Sequence, residues 1–255
     1  MSVNFRSLNI ASWNVRGLGQ KSKCQDVKRA ISSCNVDLVA CQETKLQTVT
    51  HFKALSFLQQ NLLNHSFKPS MGASGGILTA WNDNCVDLVS SVNGPFFVHS
   101  SFSHLLLDFN FSVTNVYGPC DHSSKQSFLD SLKGIADSVQ GAWLIIGDFN
   151  LVRFAHEKSS DNFNSVEADW FNDFINDLGL QDIPLLDRLY TWSNNQDSPT
   201  LCRLDRALVN LTWSSLFPDT TLSSCTRVTS DHVPLILHAS TSSLLSPSCA
   251  VNLGK

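Results

Sequence analysis

The 255-residue chain is short of the features that would assign it to a specialised class of protein. Its eight cysteines scatter from Cys24 to Cys249 with no Cys-x-x-Cys pair and no repeated spacing. That spacing argues against structural zinc and against a disulfide scaffold. Free thiols are expected, most of them small core residues in a reducing compartment. No apolar run approaches the roughly 20 residues needed to cross a bilayer. The N-terminal "MSVNFRSLNIASW" has no basic segment leading into an apolar one, so no signal peptide is expected and an intracellular location is. Charge is sparse: charged residues make up 16% and the net charge is -4. A broad basic face for nucleic acid is therefore excluded, and any such contact must be local. Lys21, Lys23, Lys28, Arg29, Lys45, Lys53 and Lys68 are the candidates, against the plainer reading that they form a solvated surface. There is no internal repeat.

What is present is a series of short apolar segments. "LNIASWNV" (8–15) and "DLVACQE" (37–43) read as strands, with a helix between them carrying Val27, Ala30, Ile31 and Cys34 on one face. "GGILTAW" (75–81), "FFVHSSF" (96–102), "LLLDFNF" (105–111) and "VTNVYGP" (113–119) read as further strands divided by Gly, Pro and Asn turn signals. Phe128, Leu129, Leu132, Ile135, Ala136 and Val139 recur at helical spacing. So do Val166, Trp170, Phe171, Phe174, Ile175 and Leu178, read as core packing. "LIIGDFN" (144–150) lies between the two helices, and "YTWSN", "LCRLDRALVN" and "VPLILH" supply the last strands. Long β runs without a regular βαβ repeat predict an α/β sandwich, with packed sheets inside and helices outside. The chain is expected to form one domain over 1–239. Residues 240–255, "STSSLLSPSCAVNLGK", have too little patterned apolar surface to fold and are expected to be a flexible Ser-rich tail.

The apolar strands repeatedly end in, or carry, single polar groups. Asn14 follows "IASW", Glu43 follows "LVACQ", Tyr117 follows "VTNV", and Asp148 and Asn150 close "LIIGDFN". Asp205 sits in "CRLDRAL", and Asp231 and His232 precede "VPLIL". If the backbone stays extended through Phe149, Asp148 and Asn150 project together while Phe149 returns to the core. The alternative is an Asx turn, in which the pair only satisfies nearby backbone. Asn14 also reads as a turn former, Glu43 as a solvated loop acid, Tyr117 as a rim tyrosine and Asp205 as a salt-bridge partner of Arg203 or Arg206. Strands packed with their ends in register would bring all these groups to one rim. The mixture of carboxylate and amide oxygen suits magnesium, while zinc would want more His or Cys. A carboxylate could orient an attacking water, and a protonated His232 could donate to a phosphate oxygen. That is the chemistry of phosphodiester hydrolysis.

"SWNVRGL", "CQETK", "NVYGP", "IIGDFN", "RLDRALV" and "TSDHVPL" stand in the order found in the endonuclease/exonuclease/phosphatase superfamily, which includes deoxyribonuclease I. Over residues 8–238 the chain resembles that superfamily. "FNDFINDLGLQDIPL", "YTWSNNQ" and "SPTLCRLDRALVN" are similar to segments of the endonuclease domains of plant LINE-type non-LTR retrotransposons. The resemblance implies a deoxyribonuclease I-like, four-layered α/β sandwich with two mixed β-sheets between helices. It also implies magnesium-dependent nicking of double-stranded DNA, leaving a 3′-hydroxyl and a 5′-phosphate, with manganese as the substitute ion. By matched position, Glu43, Asn14 and Asp231 belong to the metal site, and Asp148 to water activation. Asn150 holds phosphate or nucleophile, Tyr117 contacts phosphate, and His232, oriented by Asp205, faces the scissile phosphate. Thr191 and Ser230 match phosphate-contacting hydroxyls. Deoxyribonuclease I has a second histidine shortly after the "NVYGP" position, where this chain reads "CDHSSK", with His122 in that neighbourhood. In a full-length element a reverse transcriptase domain, absent from this chain, is the expected partner, and action on chromosomal DNA implies the nucleus. Two other readings stay open: the same fold acting on abasic DNA, RNA, a nucleotide or a phosphoinositide, and a catalytically silent retroelement remnant.

Overall fold

The inward positions along the central strands are mostly apolar, and the polar ones gather toward one end. The computed structural model, described here for residues 7–72, 74–106 and 109–241, shows what this pattern builds. In chain order the elements are β1 (Ser7–Asn14), α1 (Lys21–Ser32), β2 (Leu38–Gln42), α2 (His51–Phe57), β3 (Asn64–Met71), β4 (Ser74–Trp81) and β5 (Val86–Asn93). β6 (Phe97–His104), β7 (Asn110–Tyr117), α3 (His122–Ala136), β8 (Ala142–Asp148), α4 (Ser165–Asp177) and β9 (Gln181–Asp182) follow. The chain then adds β10 (Trp192–Ser193), β11 (Leu201–Cys202), β12 (Asp205–Val209), α5 (Leu211–Leu216), β13 (Thr221–Ser224) and β14 (Leu235–Ser240).

Two six-stranded sheets result, ordered β13-β14-β1-β2-β4-β3 and β5-β6-β7-β8-β12-β9. Each is mixed: β1 and β2 are parallel in the first, β7 and β8 in the second, and the remaining pairs are antiparallel. Period-two alternation divides the side chains between three layers of core. Leu8 and Ile10 of β1, Leu38 and Ala40 of β2, Val113 of β7, Leu144 and Ile146 of β8, and Ala207 and Val209 of β12 meet between the sheets. Trp13, Val39 and Cys41 face outward, onto Val27 and Ile31 of α1 and Phe57 of α2. Trp143, Ile145 and Leu208 face outward on the other side, onto Phe128 and Leu132 of α3 and Phe171 and Phe174 of α4. This is the expected sandwich of two packed mixed sheets flanked by helices. The helices begin where side-chain caps allow: Thr50, Asp121, Asn164 and Asn210 accept amide protons at the starts of α2, α3, α4 and α5.

Three local expectations are corrected. "LLLDFNF" is not a separate strand. Ser103 already pairs with Asn110, so the chain must turn between them, and Leu105 and Leu106 are exposed. Residues 107 and 108 lie outside the described set. β3 and β5, which sequence reading passed over, are sheet edges with largely solvent-facing positions: β3 is mostly polar, and β5 leaves Leu88, Val89 and Val92 exposed, so neither shows the buried apolar row of a central strand. Val166 is exposed, and the buried stripe of α4 runs through Ala168, Phe171, Phe174 and Ile175. Of the expected tail 240–255, Ser240 is instead the last residue of β14, and the residues from 242 on lie outside the described set.

Candidate active site

The inward rows of the central strands turn polar at one shared edge of the sandwich. On β1 the row runs Leu8, Ile10, Ser12, Asn14; on β2, Leu38, Ala40, Gln42; on β7, Phe111, Val113, Asn115, Tyr117; on β8, Leu144, Ile146, Asp148. β12 runs the other way, so its polar inward residue, Asp205, comes first, and it pairs in register with Asp148, which pairs with Tyr117. A polar layer seals the edge of the apolar core beneath. Gln42 Nε2 donates to Ser12 Oγ (3.1 Å) and Asn115 Oδ1 (2.7 Å), and Asn115 Nδ2 donates to the Leu78 carbonyl (2.9 Å). Sequence reading missed Ser12, Gln42 and Asn115, although the period-two rows carry the signal.

Asp148 is the hub, 1% exposed at the end of β8. Asn14 Nδ2 reaches across the sheets to its Oδ2 at 2.8 Å, and the Asn150 amide donates to its Oδ1 at 2.9 Å. The extended run through Phe149 is not what forms: Asn150 has φ +51°, and Asp148 makes the Asx turn. The turn and the site coexist, because the turn uses one carboxylate oxygen and leaves the other to face Asn14. Phe149 does return to the core. Gly147 is demanded less by a sharp turn than by the close passage of β7, since a Cβ there would lie 2.2 Å from the Val116 carbonyl oxygen.

His232 lies between two acids. Its Nδ1 is 2.9 Å from Asp205 Oδ2, and its Nε2 is 3.7 Å from Asp148 Oδ2. Burial alone would lower the imidazole, but the carboxylates of Asp205 and Asp148 outweigh it and push the ring up to about 9. Burial raises Asp148 to about 6, against the opposing charge of His232. Asp205 thus pairs with His232, while Arg203 and Arg206 pair with Asp182 and Glu157 on the outer side. Thr191 Oγ1 accepts the Leu204 and Asp205 amides, each at 3.0 Å, and so fixes the start of β12. Ser230 Oγ donates to the Asn14 carbonyl at 2.7 Å and accepts the His232 amide at 3.1 Å, fastening the loop before β14 to β1. Both hydroxyls are buried and committed to backbone.

A second group of oxygens flanks this core. Glu43, just beyond β2 at φ +51°, receives Lys45 Nζ on Oε1 (3.1 Å) and Arg16 Nη1 on Oε2 (3.4 Å). Arg16 Nε also faces Asp231 Oδ1 at 3.3 Å, and Trp192 Nε1 donates to Asp231 Oδ2 at 3.0 Å. Desolvation, with Glu43 and other anionic neighbours, raises the Tyr117 phenol, so Tyr117 keeps its proton as a donor. Asn14 Oδ1 accepts the Arg16 amide (3.0 Å), and Asn150 Nδ2 donates to the Gly118 carbonyl (2.8 Å). Arg16, Lys45 and Trp192 are site neighbours that sequence reading did not single out for this role.

This donor set fits a hard divalent cation. Glu43 and Asp231 offer anionic oxygen, and the chain's own cations already collect on them. Asp148, Asp205 and His232 also each present a donor atom within 4.8 Å of the others, though Asp205 and Nδ1 of His232 are engaged with one another. His122 pairs with Glu167 (2.7 Å) and stacks on Trp170, which commits it to α4. The candidate nucleic-acid lysines are largely tied to backbone: Lys23 to Arg16, Lys28 to Leu55, Lys53 to Leu18 and Lys68 to Gly94.

Solved structures share this architecture. The AP endonuclease LMAP of Leishmania major aligns with a TM-score of 0.73 at 16% identity, covering 92% of this chain and 88% of that one. The catalytic domain of Xenopus laevis APE2 aligns at 0.70 and 18% identity, covering 92% and 93%. The endonuclease domain of TRAS1, a telomere-specific non-LTR retrotransposon, aligns at 0.69 and 14% identity, covering 92% and 99%. At these identities the likeness establishes the fold. No curated protein matches the chain. The endonuclease/exonuclease/phosphatase family model matches residues 11–232, from the middle of β1 to the histidine of the buried relay, and the chain belongs to that family of phosphoester hydrolases.

Proposed function

We propose that the chain is a magnesium-dependent DNA endonuclease of retrotransposon origin that nicks one strand, leaving a 3′-hydroxyl and a 5′-phosphate. The Asp205–His232–Asp148 relay, buried at the meeting edge of both sheets, carries the proposal. In it Asp148, oriented by Asn14 and the Asn150 amide, takes a proton from the attacking water. The His232 imidazolium, held in one ring orientation and kept charged by Asp205, donates from Nε2 to a non-bridging phosphate oxygen. The Tyr117 phenol supplies a second donor. Glu43 and Asp231 would hold the cation, with Asn14 beside them; when bound, it neutralises charge building on the phosphate oxygens. The retrotransposon assignment is supported by "YTWSNNQ" and "SPTLCRLDRALVN". Double-stranded DNA is then the substrate, the nucleus the place of action, and a reverse transcriptase domain the partner in a full-length element.

The test is end-group analysis on supercoiled plasmid in magnesium. Nicked circles that ligase reseals directly carry the expected termini, and chelation of the metal should stop their formation. Faster turnover of abasic DNA, a nucleotide or a phosphoinositide would move the assignment to that substrate within the same family.

A further inference from the structure

Of the seven described cysteines, Cys24, Cys41, Cys85 and Cys202 are buried, as expected for small core residues, and Cys120 is exposed. Cys34 and Cys225 do not fit either description. They are 191 positions apart in sequence and half-buried, and their Sγ atoms stand 2.8 Å apart. A disulfide bond is about 2.05 Å, so the two sulfurs are within an ångström of bonding distance.

Their position gives the contact a consequence. Cys34 follows the end of α1, where its Sγ also contacts the Ala30 carbonyl (3.2 Å). Cys225 follows β13, and its amide donates to the Pro234 carbonyl at 2.9 Å, closing the neck of the loop 225–234. That loop carries Ser230, Asp231 and His232. Ala30, Ser33, Thr226 and Val228 line an open cavity of about 310 Å³ over the two thiols, so a small reagent can reach them.

We propose that Cys34 and Cys225 are an oxidisable dithiol, converted by a low-molecular-weight disulfide such as oxidised glutathione into an intramolecular bond that pins the neck of the His232 loop to the end of α1. Cys34 is the attacking group. The Cys225 thiol hydrogen-bonds it and, with the Ser33 hydroxyl and against burial, lowers its pKa, favouring the thiolate. The same contact raises Cys225, which keeps its proton until the second step. The Cys34 thiolate attacks one sulfur of the reagent, forming a mixed disulfide and expelling one thiolate. Cys225 then loses its proton to solvent and attacks the Cys34 sulfur, expelling the second thiol. Two protein thiols are oxidised by two electrons, and one reagent disulfide is reduced to two thiols. The inference is independent of the nuclease reading.

The experiment places the full chain in glutathione redox buffers and maps its disulfides by mass spectrometry under acid quench. The expected product is the wild-type mass less two hydrogens, with the Cys34 and Cys225 peptides joined. Cys225→Ser should stop at a glutathione adduct on Cys34. Amides of residues 226–232 should exchange more slowly in the oxidised protein, and its Tm should rise by several degrees, a rise absent from Cys34→Ser. A wild-type protein that accumulates the Cys34 adduct without the cross-link, or stays fully reduced in the most oxidising buffer, would overturn the proposal. That result does not depend on either variant folding.

Discussion

Replacing Asp205 by asparagine keeps the shape of the side chain and one acceptor oxygen, and removes the charge that faces His232 Nδ1 at 2.9 Å. Both groups are almost fully buried, so solvent screens the pair little. Raising the imidazole from 6.5 to about 9 corresponds to about 3 kcal/mol in favour of the charged ring, and Asp205 is the largest favourable contributor. Without it the ring keeps its desolvation penalty and only the weaker support of Asp148 and Asp231. Its proton affinity should therefore fall more than tenfold. The sign of the linked stability follows. A group whose folded pKa is raised stabilises the fold fully below about 6.5, and that contribution is lost as pH climbs through about 9. Urea denaturation should thus show wild type ahead of Asp205→Asn by about 2–3 kcal/mol near pH 6, with the gap closing above pH 9. Carbon-detected NMR of the His232 ring reads the proton affinity directly. A ring in the variant that titrates within twofold of wild type would refute the relay.

The same charges set an activity window. Nicking needs Asp148 ionised and His232 protonated, so the pH–rate profile should form a bell with limbs near 6 and 9, and a single limb would contradict the assignment. Thr191→Val leaves the amides of Leu204 and Asp205 without their shared acceptor, at about 1–3 kcal/mol for each buried group, while Thr191→Ser should retain most of the stability in the same urea titration. Gly147→Ala drives a methyl to 2.2 Å from the Val116 carbonyl and should cost more than about 3 kcal/mol, visible as a lowered Tm; an unchanged melt would mean that β7 can retreat. Ile146→Ala, buried between the sheets beside the relay, should cost about 2–5 kcal/mol by denaturation while nicking persists in the folded fraction.

The sandwich was legible because period-two alternation reports which face of a strand is buried, and the rows of the central strands that face between the sheets are apolar over most of their length. The polar ends of β1, β7 and β8 were legible for the same reason. The joining contacts were not. Asn14 and Asp148 are 134 positions apart, and nothing in either segment says which amide meets which carboxylate. Asp205 could equally have paired with its neighbours Arg203 and Arg206; only the pleat, which sends Arg206 to the outer face with Glu157 and Asp182, resolves the choice. Arg16 was passed over and Lys45 was read only as a surface cation, because both sit at positive φ in loops, where no periodicity operates. The edge strands β3 and β5 were missed because half-solvated strands carry a diluted apolar signal.

The central claim is that side chains from separate strands cut a phosphodiester together, around Glu43 and Asp148. Single-turnover nicking of supercoiled plasmid in magnesium, by wild type, Glu43→Ala and Asp148→Ala at matched folded concentration, tests it most directly. Each variant is expected to lose at least about a hundredfold in rate. Nicking by either variant at the wild-type rate would contradict the account.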